Sequence, residues 1–183
     1  MDRIENILKQ ISFREVGKDR GLLQQIFKLR VTCRQDDGYI TSEKYPDGWF
    51  DEMDISANHF AVFREDKLIA AARINYYDKI SEHYYFHYFN DLTGYPENEP
   101  VAYLSRVVVL PEYRLAGISR SLVAIREQHA LHKGVKNILT DVCDFQINNF
   151  LNYGYQNLGM LHSEKIKWEV KPEDYYLMFK RLK

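Results

Sequence analysis

Apolar and polar positions along this chain change period often enough to mark out its elements. "ISFREV" (11–16) alternates apolar and polar, the rhythm of a strand with one buried face. Apolar residues at 22, 23, 26, 27, 29 and 31 form a helical stripe through "LLQQIFKLRVTC" (22–33). "RQDDGYITSEKYPDGW" (34–49) holds turn formers and no sustained period, so it is loop. "HFAVFRE" and "KLIAAARINYY" flank Asp66 and predict a hairpin. "VAYLSRVVVL" (101–110) predicts a buried strand, 118–133 a helix, "KNILTDVC" (136–143) a strand, and "INNFLNYGY" (147–155) a short helix ending near Gly154. "MLHSEKIKWEV" (160–170) and "YYLMFKRL" (175–182) complete the pattern as two strands, with Pro172 and Asp174 supplying the turn. Residues 2–10 predict a short helix.

Strands and helices interleave in this order, which implies an α/β (α+β) fold with parallel and antiparallel pairs and helices on the faces of a mixed sheet. The 183 residues suit one domain spanning 1–183, and no repeat, low-complexity tract or linker divides them. Hydrophobic residues make up 45% of the chain, enough for a sizeable core. A formal net charge of −1 argues against a nucleic-acid binder or a polybasic membrane protein, and no apolar run reaches the length of a membrane span. The acidic, amphipathic start is unlike a secretory signal. Cys33 and Cys143 form neither a disulfide framework nor a zinc pattern, so a cytoplasmic location with reduced thiols is expected. Aromatic residues crowd the stretch from Tyr76 to Tyr95. That insert is the candidate for acceptor specificity, with a homodimer contact or an enlarged core as the alternatives.

The stretch "VVVLPEYRLAGISRSL" (107–122) carries the chemistry. A helix begins with backbone N–H groups that lack intrahelical partners, and its dipole adds partial positive charge there. A turn of small residues lets those groups converge on a phosphate. Gly117 permits close approach, Ser119 can cap or donate, and Arg114 and Arg120 can neutralise a second phosphate. The preceding strand offers backbone to an extended amide-containing arm. A diphosphate joined to such an arm describes coenzyme A.

"RLAGIS" (114–119), set between a valine-rich strand and a helix, resembles the Q/R-x-x-G-x-G/A loop of the GCN5-related N-acetyltransferases (GNAT). The resemblance implies a GNAT-like domain whose central sheet is mostly antiparallel, with about six or seven strands. It also implies acetyl-CoA or a longer acyl-CoA as co-substrate, a small-molecule amine as acceptor, and no metal. The pyrophosphate would rest on Leu115, Ala116, Gly117, Ile118, Ser119 and Arg120, with Arg114 beside it. The pantetheine would run along Val107, Val108 and Val109. Ser119 replaces the final Gly or Ala of the motif.

A narrower resemblance points to the N-acyl homoserine lactone and N-acyl amino acid synthases, a branch of the same superfamily. Their pattern has an arginine on an early helix, a D-x-x-D pair, an arginine in a hairpin and an E-x-S-R strand. This chain offers Arg30, Asp51 with Asp54, Arg73, and Tyr103 to Arg106. These five charged residues are the expected acceptor-side set, though Asp51 and Asp54 are equally readable as turn and cap residues. The branch also implies an alternative donor, acyl carrier protein.

Both usual proton-handling positions are altered. The resemblance puts a glutamate base where this chain has Tyr103, and a tyrosine acid where it has Phe150. Tyr103, Ser105 and Tyr153 are the candidate catalytic residues in their place, and a non-catalytic acyl-CoA-binding module is the alternative. His83 and His87 are expected to lie at the surface or to pack among aromatics, and His129 to be a core histidine with one hydrogen bond.

Overall fold

A computed structural model describes residues 10–35, 40–88, 90–161 and 174–183. The expected helix at 2–10 lies outside the described residues apart from Gln10. Ten elements of regular structure follow, among the described residues: β1 (Ile11–Val16), α1 (Arg20–Arg34), β2 (Asn58–Arg64), β3 (Lys67–Tyr77), β4 (Val101–Val109), α2 (Ile118–His132), β5 (Asn137–Cys143), α3 (Ile147–Asn152), β6 (Gln156–Met160) and β7 (Tyr175–Arg181). The chain gathers into two compact units, one built from the described residues up to Ile74 with Arg106–Ile125, the other from Asn75–Ser105 with the described residues after Ile125.

In the first unit the strand order is β1-β2-β3-β4. β1 and β2 pair antiparallel from Ile11↔Arg64 to Val16↔His59. β2 and β3 form the expected hairpin, with His59 opposite Arg73 and a register shift between Val62 and Phe63. Asp19 caps α1, its carboxylate accepting from the Leu22 N–H at 3.1 Å, and this fixes where the helical stripe begins. That stripe buries Ile26, Leu29, Val31 and Cys33, and with them Arg30, a charge on an otherwise apolar face. Burial pushes the Cys33 thiol up to about 11, so this cysteine is inert at neutral pH.

In the second unit the order is β4-β5-β7-β6. Val101–Leu104 pairs in parallel with Asn137–Thr140, while β7 runs antiparallel to both β5 and β6. Its core joins Val101, Tyr103, Leu139, Leu177 and Phe179 to Ile80 and Tyr95 from the aromatic insert. The insert thus enlarges this core. Two glycines end helices here. Gly134 (φ 77°) follows α2 and Gly154 (φ 85°) follows α3, each with a backbone bond back into the last turn, Val135 N–H to Ala130 O and Tyr155 N–H to Phe150 O. One element differs from expectation. A strand starts at Gln156, before the expected 160–170, whose residues from 162 onward lie outside the described ones. The polar "QNLG" run with a register shift between Asn157 and Gly159 carries no strand period to read.

Gly48 and Gly134 separate two kinds of glycine. Both hold positive φ, but a Cβ at Gly48 would sit 2.6 Å from the Phe27 carbonyl carbon, whereas at Gly134 it would meet nothing within 4 Å. Gly48→Ala is expected to destabilise by about 3 kcal/mol and Gly134→Ala by about 1 kcal/mol, read from urea unfolding midpoints.

Candidate functional site: an arginine–aspartate network and a helix entrance

The five acceptor-side residues expected from the sequence meet in the first unit. Arg30 on α1 grips Asp54 with two bonds, 2.8 and 2.9 Å, and a third, 3.2 Å, reaches the Trp49 carbonyl. Arg73 on β3 lies 2.9 Å from Asp54 and also donates to Asp51. Arg106 on β4 donates to Asp51 from two nitrogens, 3.1 and 2.6 Å, and lies 3.6 Å over the Trp49 ring. Asp51 and Asp54 also form a capping box around the turn Glu52–Asp54. The turn-and-cap reading and the network reading are therefore both true of the same two residues.

Access is graded along this network. The Arg30, Asp54 and Arg73 side chains are at most 1% exposed, while Asp51 and Arg106 reach 16%. Its accessible end is thus Arg106 with Asp51. Three guanidinium groups face two carboxylates, which leaves one positive charge in excess. Burial by itself would raise the Asp54 carboxyl, but the guanidiniums of Arg30 and Arg73 outweigh it and hold the group far below the usual carboxylate range. Asp51 is lowered in the same way by Arg106 and Arg73, against the pull of its own burial. His59 contacts this cluster through the Asp54 carbonyl at 3.4 Å, and burial followed by the Arg30 charge lowers it, so it is neutral at pH 7. Arg106 holds φ 54°, a left-handed conformation inside a strand. Such strain costs about 1–3 kcal/mol and persists where surrounding contacts over-determine it, as the Asp51 and Trp49 contacts do.

The same unit carries the turn before α2. Leu115 and Gly117 both hold positive φ, 65° and 79°. Ala116 and Ile118 are buried on either side, which anchors the turn, and Leu115 is 97% exposed. The first intrahelical bond runs from Ser121 N–H to Gly117 O at 3.0 Å, so the amides of Ile118, Ser119 and Arg120 lie ahead of it at the positive end of the helix. A Cβ built on Gly117 meets nothing within 4 Å, so the turn is open above its backbone. Arg114 makes two backbone contacts here. Its guanidinium donates to the carbonyls of Val109 and Cys33, both at 3.2 Å, and braces the turn against β4 and α1. Val107 is half-buried, and Val108 and Val109 are buried.

Residues 23–155 match the acetyltransferase (GNAT) family. The chain belongs to that family. The match runs through both units and includes the network, the turn at Gly117 and α3. Solved structures with the same fold include FeeM, an N-acyl amino acid synthase from uncultured soil microbes, at 14% identity over 94% of this chain and 91% of that one, TM-score 0.64. Naa50 of Arabidopsis thaliana, solved with a bisubstrate analogue, is 16% identical over 94% and 99%, TM-score 0.64. BjaI, a CoA-dependent acyl-homoserine lactone synthase solved with SAM and isopentyl-CoA, is 13% identical over 94% and 84%, TM-score 0.66. No curated protein matches the chain.

This GNAT chain places its three candidate catalytic residues in the second unit. Tyr103 is 3% exposed, with its ring centroid 4.0 Å from that of His83, and its hydroxyl donates to Asp141 at 2.7 Å. The Ser105 carbonyl accepts from buried Arg126 at 3.4 Å. Tyr153 caps α3 and packs on Phe150, ring centroids 5.6 Å apart. His83 is buried among Tyr77, Tyr85 and Tyr103, and half-buried His129 meets the Tyr76 hydroxyl at 2.5 Å. Trp49, His59 and Asp141 did not stand out in the sequence. The one signal among them was Asp141, a single acidic residue in the apolar run "ILTDVC".

The network makes stability depend on pH. Unfolded aspartate titrates near about 4 and histidine near about 6.5. The Asp51 and Asp54 values are lowered by folding, so their contribution is present above pH ~4 and is lost as pH falls toward the depressed folded values. The lowered His59 value works in the same direction, removing stability as pH drops below ~6.5. His59→Gln is expected to flatten the stability curve just below pH ~6.5. Asp54→Asn is expected to cost about 3–5 kcal/mol at pH 7 and to flatten the curve below pH ~4, both read by chemical unfolding across pH.

Proposed function

We propose that this protein moves an acyl group from acyl-CoA to the amine of a small acceptor by direct attack in a ternary complex. The observation that carries this reading is the open turn at Gly117, with the amides of residues 118–120 ahead of the first helical bond. These amides would hold the coenzyme's diphosphate. Arg114 and Arg120, both exposed beside them, would supply the charge. The half-buried edge at Val107, with Val108 and Val109 after it, would bear the pantetheine arm. Coenzyme A supplies an acyl carbon activated as a thioester.

A second reading concerns the acceptor and the donor. The excess positive charge of the Arg30–Asp54–Arg73–Asp51–Arg106 network, with Arg106 at its accessible end, favours an acceptor that carries a carboxylate beside its amine. FeeM and BjaI are synthases of acyl amino acids and acyl-homoserine lactones. A donor longer than acetyl, delivered on coenzyme A or on acyl carrier protein, belongs with this reading.

Gly117→Glu places a negative charge and bulk where the diphosphate would rest, and it is expected to abolish coenzyme A binding in calorimetry. Unchanged affinity would refute the placement. Arg106→Ala is expected to leave coenzyme A affinity intact and to lower kcat/KM for a carboxylate-bearing amine by about 10-fold or more, the worth of one charge-assisted contact. Thiol release from acetyl-CoA and decanoyl-CoA with amino acids, S-adenosylmethionine and spermidine decides between the readings. Preference for acetyl and for spermidine counts against the synthase-like acceptor.

A further inference from the structure

The Arg106 guanidinium, at the accessible end of the network, is only partly engaged. One donor on Nε and one on Nη2 go to the same oxygen, Asp51 Oδ2, at 3.1 and 2.6 Å. The other Asp51 oxygen accepts from Arg73 and from the Met53 N–H. Among the described residues, Arg106 Nη1 hydrogen-bonds nothing. The edge formed by Nη1 and Nη2 therefore keeps a pair of parallel donors, the fork that matches the oxygens of a carboxylate.

One carboxylate oxygen cannot aim that edge, because the guanidinium could pivot about it. Trp49 removes the pivot. Its ring lies against the guanidinium face, with the central carbon 3.6 Å from the ring centroid. The tryptophan is held in turn by its own backbone. Its N–H donates to the Phe27 carbonyl at 3.0 Å, and its carbonyl accepts from Arg30 at 3.2 Å. Gly48 makes this docking possible. Its φ of 94° and its missing side chain let the segment lie against α1, where a Cβ would come 2.7 Å from the Lys28 nitrogen. Trp49 is 3% exposed, so it has little surface of its own to offer a ligand. All of these residues belong to the first unit.

We infer that Trp49 is a positioning residue for the acceptor: by stacking on Arg106 it sets the plane in which the open guanidinium edge meets a carboxylate beside the acceptor's amine. The inference rests on the carboxylate-bearing acceptor of the second reading above. Trp49 acts through Arg106 rather than on the reacting atoms. A fork held in one plane rewards a planar pair of acceptor oxygens. A carboxamide presents one oxygen and one NH2 group, whose hydrogens oppose a guanidinium donor. Discrimination of the acid from its carboxamide is thus what Trp49 sharpens.

The assay is thiol release from acetyl-CoA or decanoyl-CoA, whichever is faster, with the fastest amino acid and with the carboxamide of that same amino acid. The readout is the ratio of kcat/KM for the acid over the carboxamide, which a general loss of folding or of coenzyme binding leaves unmoved. Trp49→Leu is expected to lower this ratio by about 10-fold through KM for the acid, and Trp49→Phe, which keeps an aromatic face, to retain most of it. Replacing Trp49 site-specifically with mono-, di- and trifluorinated tryptophan keeps its shape and drains the negative face of the ring. KM for the acid is then expected to climb stepwise with fluorination. A ratio that Trp49→Leu leaves unchanged, or that Trp49→Phe lowers as far as Trp49→Leu does, overturns the inference. If Trp49→Leu fails to fold, the fluorinated series decides, and a flat series overturns it. A wild-type protein that uses the carboxamide as well as the acid, or releases no thiol with any amine, overturns the acceptor reading and the inference together, a result seen before any change at Trp49.

Discussion

Two carboxylates held among three guanidiniums, buried at one end and partly open at the other, govern the first unit. Asp54 cannot stay ionised in that position without Arg30 and Arg73, because an unpaired buried charge costs several kcal/mol. Those arginines come from α1 and β3, and Asp54 from a turn between them in sequence. The network therefore acts as a register lock. A one-residue slip of β3 against β2 would turn Arg73 to the opposite face and strand Asp54. Apolar replacements of similar volume for buried ion networks are often neutral or stabilising, so the network is weak evidence for stability by itself.

That accessible end is where conformation and electrostatics join. Arg106 carries a left-handed φ within a strand, and a residue there is poorly placed to continue an even ladder. Its side chain is fastened to Asp51 and to the face of Trp49, so the irregularity is fixed rather than frayed. Three residues later the Val109 carbonyl is taken by Arg114, which also holds the Cys33 carbonyl of α1. One arginine thus fastens the strand's irregular point and another fastens the turn after it. The amides leading into α2 inherit a defined direction from both, which is what a backbone anion cradle requires, since hydrogen bonding there depends on aim.

The fold was legible in the sequence wherever period and punctuation agreed. The α1 stripe, the hairpin about Asp66, the valine-rich β4 and the glycine stop at Gly154 all follow from local rules. β6 was not legible, because its hydrogen-bonding partner, not its own composition, makes it a strand. The five-residue network was legible only through family spacing. Nothing local in "FDEMD" announces that Asp51 and Asp54 face three arginines drawn from three elements, since a capping box and an ion network use the same two carboxylates. Arg114 shows the opposite limit. An arginine beside a glycine turn suggests a phosphate ligand, and its bonds to two carbonyls show only in the coordinates.

Tyr103 and Asp141 lie beyond sequence reasoning for a more general reason. They are far apart in the chain, and their adjacency depends on a parallel pairing that no turn specifies. Read singly, Tyr103 is a lost glutamate and Asp141 is a polar blemish in a core strand. Paired, each explains the other. The hydroxyl makes the half-buried carboxylate tolerable, and the carboxylate satisfies a hydroxyl that would otherwise be buried at a cost. The aromatic insert completes the arrangement by pressing His83 onto the tyrosine ring, which removes the rotational freedom a mobile anchor would keep.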